Sequence, residues 1–224
     1  MSKILFTLHA SVFAFLFLFC TYGQNDARSK KIIDDMTARI KTYPCLSVSF
    51  SGTLNMPQDQ AETKDGKIWL KNNMYKVEVP DFVMYFDGSK LYQYQPEVKE
   101  VYVSKPDPNE NGEDFQFLNP QSIFNIPSKS FKSNLVKESV LNNRKVYEID
   151  LYPVQIKTAK YSRIRIMVEK STLQMVYLKA FMTDGTQYAI TFKPYEIIQP
   201  ALRDSFFTFN TLEYPGVEMI DLTF

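Results

Sequence analysis

Between residues 27 and 43 the apolar positions Ile33, Met36, Ile40 and Tyr43 recur every three or four residues, with Lys, Asp and Arg between them. That spacing predicts one amphipathic helix. Pro44 ends it, and Leu46, Val48, Phe50, Gly52 and Leu54 then alternate with Ser47, Ser49, Ser51 and Thr53. The period has changed from 3.6 to 2, as in a half-buried strand. Strand-like runs follow at 67–71, 75–79, 83–86, 91–95 and 98–104, broken by Asn72-Asn73, Pro80-Asp81, Asp87-Gly88 and Pro96. This is the pattern of a meander of short antiparallel strands.

A polar loop over 105–114 interrupts the meander. Beyond it Asn119 as cap and Pro120 as first residue predict a short helix that brings Ile123, Phe124 and Ile126 together. Five more runs, at 131–140, 146–151, 162–168, 175–181 and 188–192, are separated by turns at Asn142-Asn143, Ser171-Thr172 and Asp184-Gly185. The expectation is a mainly β chain with a few α-helices, built on one antiparallel sheet of about eleven strands. There is no fixed-period repeat and no low-complexity tract. A sheet of that size should curl.

Its apolar positions exceed one covered face. In the hairpin 83–95 a two-residue turn at Gly88-Ser89 pairs Asp87 with Lys90, Tyr85 with Tyr92 and Val83 with Tyr94, while Phe86 meets Leu91 and Met84 meets Gln93 on the other side. Both faces carry bulk. Two readings are open: an aromatic-rich core against the long helix, or a curled sheet whose concave side is an apolar hole.

The N-terminus changes the compartment. Lys3 precedes a mostly apolar run from Ile4 to Cys20, followed by Thr21-Tyr22-Gly23-Gln24. This has the layout of a signal peptide, with small Thr21 and Gly23 placing the expected cut before Gln24. The bulky Phe17-Leu18-Phe19 before Cys20 argues against a lipoprotein signal there, so a soluble exported domain over 24–224 is expected. Removing 1–23 takes away Lys3 alone among the 26 basic residues, leaving them equal to the 25 acidic ones. Such a chain, neutral as a whole, has no electrostatic case for nucleic acid or an anionic membrane surface, and neither partner is expected. A monomer is expected.

The same cut removes His9, the only histidine, and Cys20, one of two cysteines. Without an imidazole there is no Ser-His-Asp or Cys-His relay, no histidine base and no ordinary catalytic zinc site. No enzyme activity, cofactor or metal is expected. Cys45 is left without a partner and reads as a small buried thiol.

Three segments then carry a family resemblance: Gly66-Lys67-Ile68-Trp69-Leu70-Lys71; Asp87-Gly88-Ser89-Lys90-Leu91-Tyr92-Gln93-Tyr94-Gln95-Pro96; and Phe207-Thr208-Phe209 with Tyr214-Pro215-Gly216-Val217-Glu218. In order and spacing they resemble the outer-membrane lipoprotein carrier (LolA-like) family over nearly all of 24–224. The resemblance implies an incomplete, half-open antiparallel β-barrel with a helical lid, and a hydrophobic cavity for the acyl chains of lipoproteins. It implies a periplasmic shuttle that takes cargo from an inner-membrane lipoprotein-releasing ABC transporter to an outer-membrane acceptor, protein or lipid. On this reading Trp69, Tyr75, Val77, Val83, Tyr85, Tyr92 and Tyr94 line the cavity, and Ile33, Met36, Ile40, Ile123, Phe124 and Ile126 form the lid. A carrier or sensor of free lipid or glycolipid, of the envelope-stress type, is the alternative. One departure stands out: where family members have Lys-Arg-Pro, with an arginine latch to the lid, this chain has Lys71-Asn72-Asn73. Lid closure is left to Ile123, Phe124 and Ile126, with Lys71 a weak substitute because it lacks the planar guanidinium fork. Sheltering a sixteen-carbon chain is worth at most about 12 kcal/mol, at ~0.8 kcal/mol per methylene.

Overall fold

The computed structural model describes residues 20–106, 119–126 and 130–223. The expected signal segment up to residue 19 and most of the polar loop lie outside the described residues. Helix α1 (Cys20–Lys41) precedes six strands: β1 (Leu46–Asn55), β2 (Glu62–Lys71), β3 (Met74–Val79), β4 (Phe82–Phe86), β5 (Leu91–Gln95) and β6 (Glu100–Ser104). After the short helix α2 (Pro120–Phe124) come β7 (Phe131–Leu141), β8 (Arg144–Pro153), β9 (Tyr161–Glu169), β10 (Met175–Met182) and β11 (Gln187–Phe192). The two-residue β12 (Glu196–Ile197) and the four-residue β13 (Glu218–Asp221) complete the set.

All these strands form one open sheet in the order β13-β6-β5-β4-β3-β2-β1-β11-β10-β9-β8-β7, with β12 attached to β1. It does not close into a barrel. Two antiparallel meanders meet where β1 pairs with β11, which makes the half-open barrel expected from the sequence. The expected register of the β4–β5 hairpin is found, with Val83 opposite Tyr94, Tyr85 opposite Tyr92 and Phe86 opposite Leu91. At the β7–β8 turn Asn142 and Asn143 both have positive φ, 47° and 63°, as a two-residue hairpin with right-handed strand twist demands. β6 starts two residues later than expected because Lys99, at φ 55°, belongs to the preceding turn.

Cross-strand register explains the core. Leu46, Leu70, Tyr75, Phe86 and Leu91 are successive partners across β1 to β5. Leu135, Ile149, Ile166, Leu178 and Ile190 are successive partners across β7 to β11. Both rows belong to one large cluster with Ile32, Ile33 and Met36 of α1 and Ile123 and Phe124 of α2. Helices therefore cover one face, called here the inner face. Gly66 lies opposite Phe50 on that face, and a Cβ at Gly66 would stand 2.5 Å from the Phe50 ring and 2.6 Å from the Glu78 carbonyl oxygen. Gly66→Ala is expected to cost about 1–3 kcal/mol, read as a lower urea midpoint at unchanged slope.

The outer face is treated differently in its two halves. Over β2 to β6 it is covered by the C-terminal segment: Phe209, Tyr214 and Val217 pack on Val83, Tyr85, Tyr92, Tyr94 and Val101, and Phe206 and Phe207 pack near Trp69, Met74 and the buried Cys45. Burial pushes the Cys45 thiol pKa up, as suits a small apolar side chain. Over β8 and β9 the outer face is charged. Buried Asp150 accepts from Arg165 Nε (2.7 Å) and Nη2 (2.9 Å) and from Arg163 Nη1 (3.2 Å).

Candidate functional site

The inner face meets solvent in a groove of about 170 Å³ lined by Lys30 and Ile33 of α1, Ile126 after α2, Phe131, Lys132 and Ser133 of β7, and Leu151 of β8. Ile33, Ile126, Phe131 and Leu151 make it apolar. Alternation along β7 puts Phe131, Ser133 and Leu135 on the inner face, and the 3.6-residue period of α1 sets Ile33 one turn before Met36. The first half of α1 is fastened over the groove by polar contacts. Ser29 and Ser133 share a hydroxyl hydrogen bond of 2.8 Å, Glu138 accepts from both Arg28 and Lys170, and the Arg28 guanidinium lies 5.5 Å from the Tyr147 ring centre.

Helix α2 begins as the sequence predicts: the Asn119 side chain accepts from the Gln121 backbone N–H, and Pro120 opens the helix. Five residues cannot hold a helix by themselves, so α2 depends on what it packs against. Ile123, Phe124 and Ile126 are all buried in the inner-face cluster, with the Phe124 ring 5.5 Å from Phe192 and 5.6 Å edge-on from Tyr195. The six expected lid residues thus lie against one face, Ile33 and Met36 buried and Ile40 partly so.

The link between α2 and the β2–β3 turn is neutral. Gln121 Nε2 donates to the Asn72 carbonyl oxygen at 3.2 Å, in the stretch compared above with the arginine latch of the carriers that the sequence resembles. Lys71 does not serve as substitute latch. Its ammonium donates to the Leu202 carbonyl and to Asp204, both at 2.6 Å, and so ties β2 to the C-terminal segment instead.

The expected cavity residues divide between the faces. Tyr75 and Val77 are buried on the inner face. Val83, Tyr85, Tyr92 and Tyr94 do share one face, but it is the outer one, beneath Phe209 and Tyr214. Trp69 is also outside, edge-on to Phe206 at 5.6 Å. The Lys76 ammonium stands 5.7 Å from the Trp69 ring, 4.8 Å from Tyr85 and 4.8 Å from Phe206, which clamps the C-terminal segment down. The physical reason is that the aromatic C-terminal motifs themselves need an apolar partner, and the outer side of β2 to β6 supplies it. The inner-face residues that sequence reasoning missed are Phe50, Met84, Phe86 and Leu91, partly buried beside the main cluster, with Phe131 and Leu151 at the groove. Their signal was the register itself: Phe86 and Leu91 follow Tyr75 across the strands.

The groove is smaller than the ~300–1,000 Å³ of ordinary ligand pockets, because α2 side chains occupy the middle of the inner face. Leaving that face bare would forfeit roughly 25 cal/mol for each Å² of apolar surface. Among the described residues no cluster of His, Cys, Asp or Glu is placed to hold a metal, and no helix is long and apolar enough to cross a membrane.

Burial raises the Tyr75 pKa from its ordinary value of 10.0 to about 12. The unfolded chain then releases this proton first as pH rises, so the stabilisation is full below pH 10 and lost between pH 10 and about 12. The loss due to this group should be about 2–3 kcal/mol. Tyr75→Phe is expected to flatten the stability-versus-pH curve in that window, measured by urea unfolding at several pH values.

No protein-family model and no curated protein matches the chain. Solved folds do. An uncharacterized conserved protein from Thermus thermophilus aligns with a TM-score of 0.58 at 6% identity, covering 87% of this chain and 99% of its own. The lipoprotein LppX from Mycobacterium tuberculosis gives 0.45 at 9% identity over 79% and 98% of the two chains, and a LolA superfamily protein from Nitrosomonas europaea gives 0.42 at 10% over 81% and 97%. At such identities the likeness is one of fold.

Proposed function

We propose that this chain is a non-enzymatic carrier that shelters the acyl chains of lipoproteins on the inner face of its half-barrel. The observation that carries the reading is the roofing of that face. A continuous apolar surface spans both meanders, yet α2, a helix too short to stand alone, fills its centre with Ile123, Phe124 and Ile126, and an apolar groove opens at its margin. Displacing those three side chains exchanges one set of apolar contacts for another, so an acyl chain can enter at little net cost in buried area. The resemblance of the 66–71, 87–96 and 207–218 segments to lipoprotein carriers supports the same reading, as does the lack of any histidine beyond His9.

In this proposal residues 1–23 direct export and are removed, 24–224 works as one domain in the periplasm, and cargo passes from an inner-membrane ABC transporter to an outer-membrane acceptor. Intact mass of the exported protein tests the first step, expecting a chain that starts at Gln24; an acylated Cys20 would contradict it. Lipid extraction and mass spectrometry of material purified without detergent test the cargo. Acylated protein supports the proposal, free lipid or glycolipid favours the alternative carrier or sensor, and no bound lipid counts against both.

Gln121 offers a finer test. Its bond to the Asn72 carbonyl holds α2 over the sheet at a net worth of about 1 kcal/mol. Gln121→Ala should therefore raise the open population about fivefold and speed entry of a fluorescent fatty-acyl probe, at a stability cost of about 1 kcal/mol or less. An unchanged entry rate would show that α2 does not gate the face.

A further inference from the structure

The connection between β8 and β9 carries an exposed apolar tip flanked by lysines. Ile156 is 78% exposed, Val154 49% and Tyr152 39%, and all three stand within six residues. From Leu151 to Val168 the sequence contains Lys157, Lys160, Arg163 and Arg165 and no Asp or Glu, and Arg163 and Arg165 are held by Asp150 just before that stretch, which leaves the lysines to set the charge of the tip. The acidic residue on the adjoining turn, Asp184, is engaged within its own turn by the Thr186 N–H at 2.8 Å. Exposed Lys132 of β7 is the register partner of Tyr152.

The loop is held in shape. Ala159 N–H donates to Gln155 O (3.2 Å), Val154 N–H to Ser130 O (3.1 Å), and Thr183 donates to Lys160 O through both its N–H (2.8 Å) and its hydroxyl (3.0 Å). A fixed loop that keeps isoleucine and valine in water gains nothing from them in this chain alone. It also adjoins the groove: Phe131 and Leu151 line it, Phe131 pairs with Pro153, and the Phe131 and Tyr161 rings are 6.2 Å apart.

We propose that residues 154–160 dock on an anionic lipid bilayer, inserting Val154 and Ile156 at the headgroup boundary with Lys157 against the phosphates, and so seat the groove mouth on the membrane. Two or three apolar side chains fall short of the ~1,000 Å² that a stable protein partner would bury. They suit the 5–10 Å depth of an interfacial insertion, and the positive charge at the tip, unlike the neutral balance of the whole chain, matches an anionic surface. The purpose of such docking rests on the carrier reading, but the docking itself does not.

The experiment is flotation of the exported, host-processed protein with vesicles of phosphatidylcholine, with and without phosphatidylglycerol, beside a fluorescent fatty-acyl probe titration in solution. The wild-type protein should float with the anionic vesicles and much less with the neutral ones, and added salt should release it. Lys157→Gln should weaken vesicle binding about fivefold and Ile156→Asp about tenfold or more, both with unchanged probe affinity. Because both side chains are exposed, neither change should impair folding. Failure of the wild-type protein to bind anionic vesicles, equal binding to both kinds, or undiminished binding by Ile156→Asp would overturn the proposal. Vesicle binding without any probe binding would support the docking while refuting the carrier reading.

Discussion

Phe124→Ala is expected to lower stability by about 3–5 kcal/mol, the range for truncating a buried phenylalanine, although the residue sits on a helix of only five residues. Phe124 is 2% exposed and its ring contacts both Phe192 and Tyr195. Tyr195 is itself fixed, its hydroxyl donating to Met175 O and accepting from Met175 N–H, both at 3.1 Å, so the walls cannot collapse far. For a chain of this length the loss corresponds to a melting temperature roughly 6–20 °C lower. A void with such apolar walls stays dry and accepts an apolar guest. The fatty-acyl probe should therefore raise the melting temperature of the variant more than that of the wild-type protein, through preferential binding to the folded state. A loss below about 1 kcal/mol would mean that α2 is not packed as core. An equal effect of probe on both proteins would mean that the Phe124 position is not part of the acyl site.

Phe209→Ala is expected to be as damaging and to differ in its second readout. The Phe209 ring lies 5.8 Å from Tyr85, 6.2 Å from Tyr92, 5.7 Å from Tyr94 and 4.8 Å from Tyr214, so its removal opens the whole outer cluster. The Tyr85 and Tyr214 hydroxyls, 2.6 Å apart, would lose the packing that holds them together. The cost should again be about 3–5 kcal/mol by denaturant unfolding. Probe affinity, measured where the variant is still folded, should stay at the wild-type value, because the outer cluster is separated from the groove by the sheet. A matching fall in affinity would place the ligand among Tyr85, Tyr92 and Tyr94 after all.

These tyrosines show where sequence reading succeeds and where it stops. The turn Asp87-Gly88-Ser89-Lys90 fixes pairing within its hairpin, since a one-residue slip would reverse every side chain, and the register was legible residue by residue. Which face turns inward depends on contacts distant in sequence, from α1, which ends some forty residues before the hairpin, and from the C-terminal segment, more than a hundred residues after it. Alternation alone carries no such information when both faces are bulky. For that reason Val83, Tyr85, Tyr92 and Tyr94 lie on the outer face, while Tyr75 and Val77 fall on the inner one. Likewise Asn119-Pro120 announced α2, but nothing local tells that Gln121 reaches Asn72 or that Lys71 turns to Asp204. The two unforeseen strands, β12 and β13, are too short to show a period, and both exist through pairing with distant partners, β1 and β6.

The most direct measurement is photo-crosslinking of the exported protein with a diazirine-bearing fatty-acyl probe, followed by peptide mapping. If the inner face holds the acyl chain, adducts should fall on the peptides that carry Ile33, Ile126, Phe131 and Leu151, and an excess of unlabelled acyl chain should abolish them. Adducts confined to the peptides of Tyr85, Tyr92 and Tyr94 and of the C-terminal segment, or labelling that unlabelled ligand does not suppress, would contradict it.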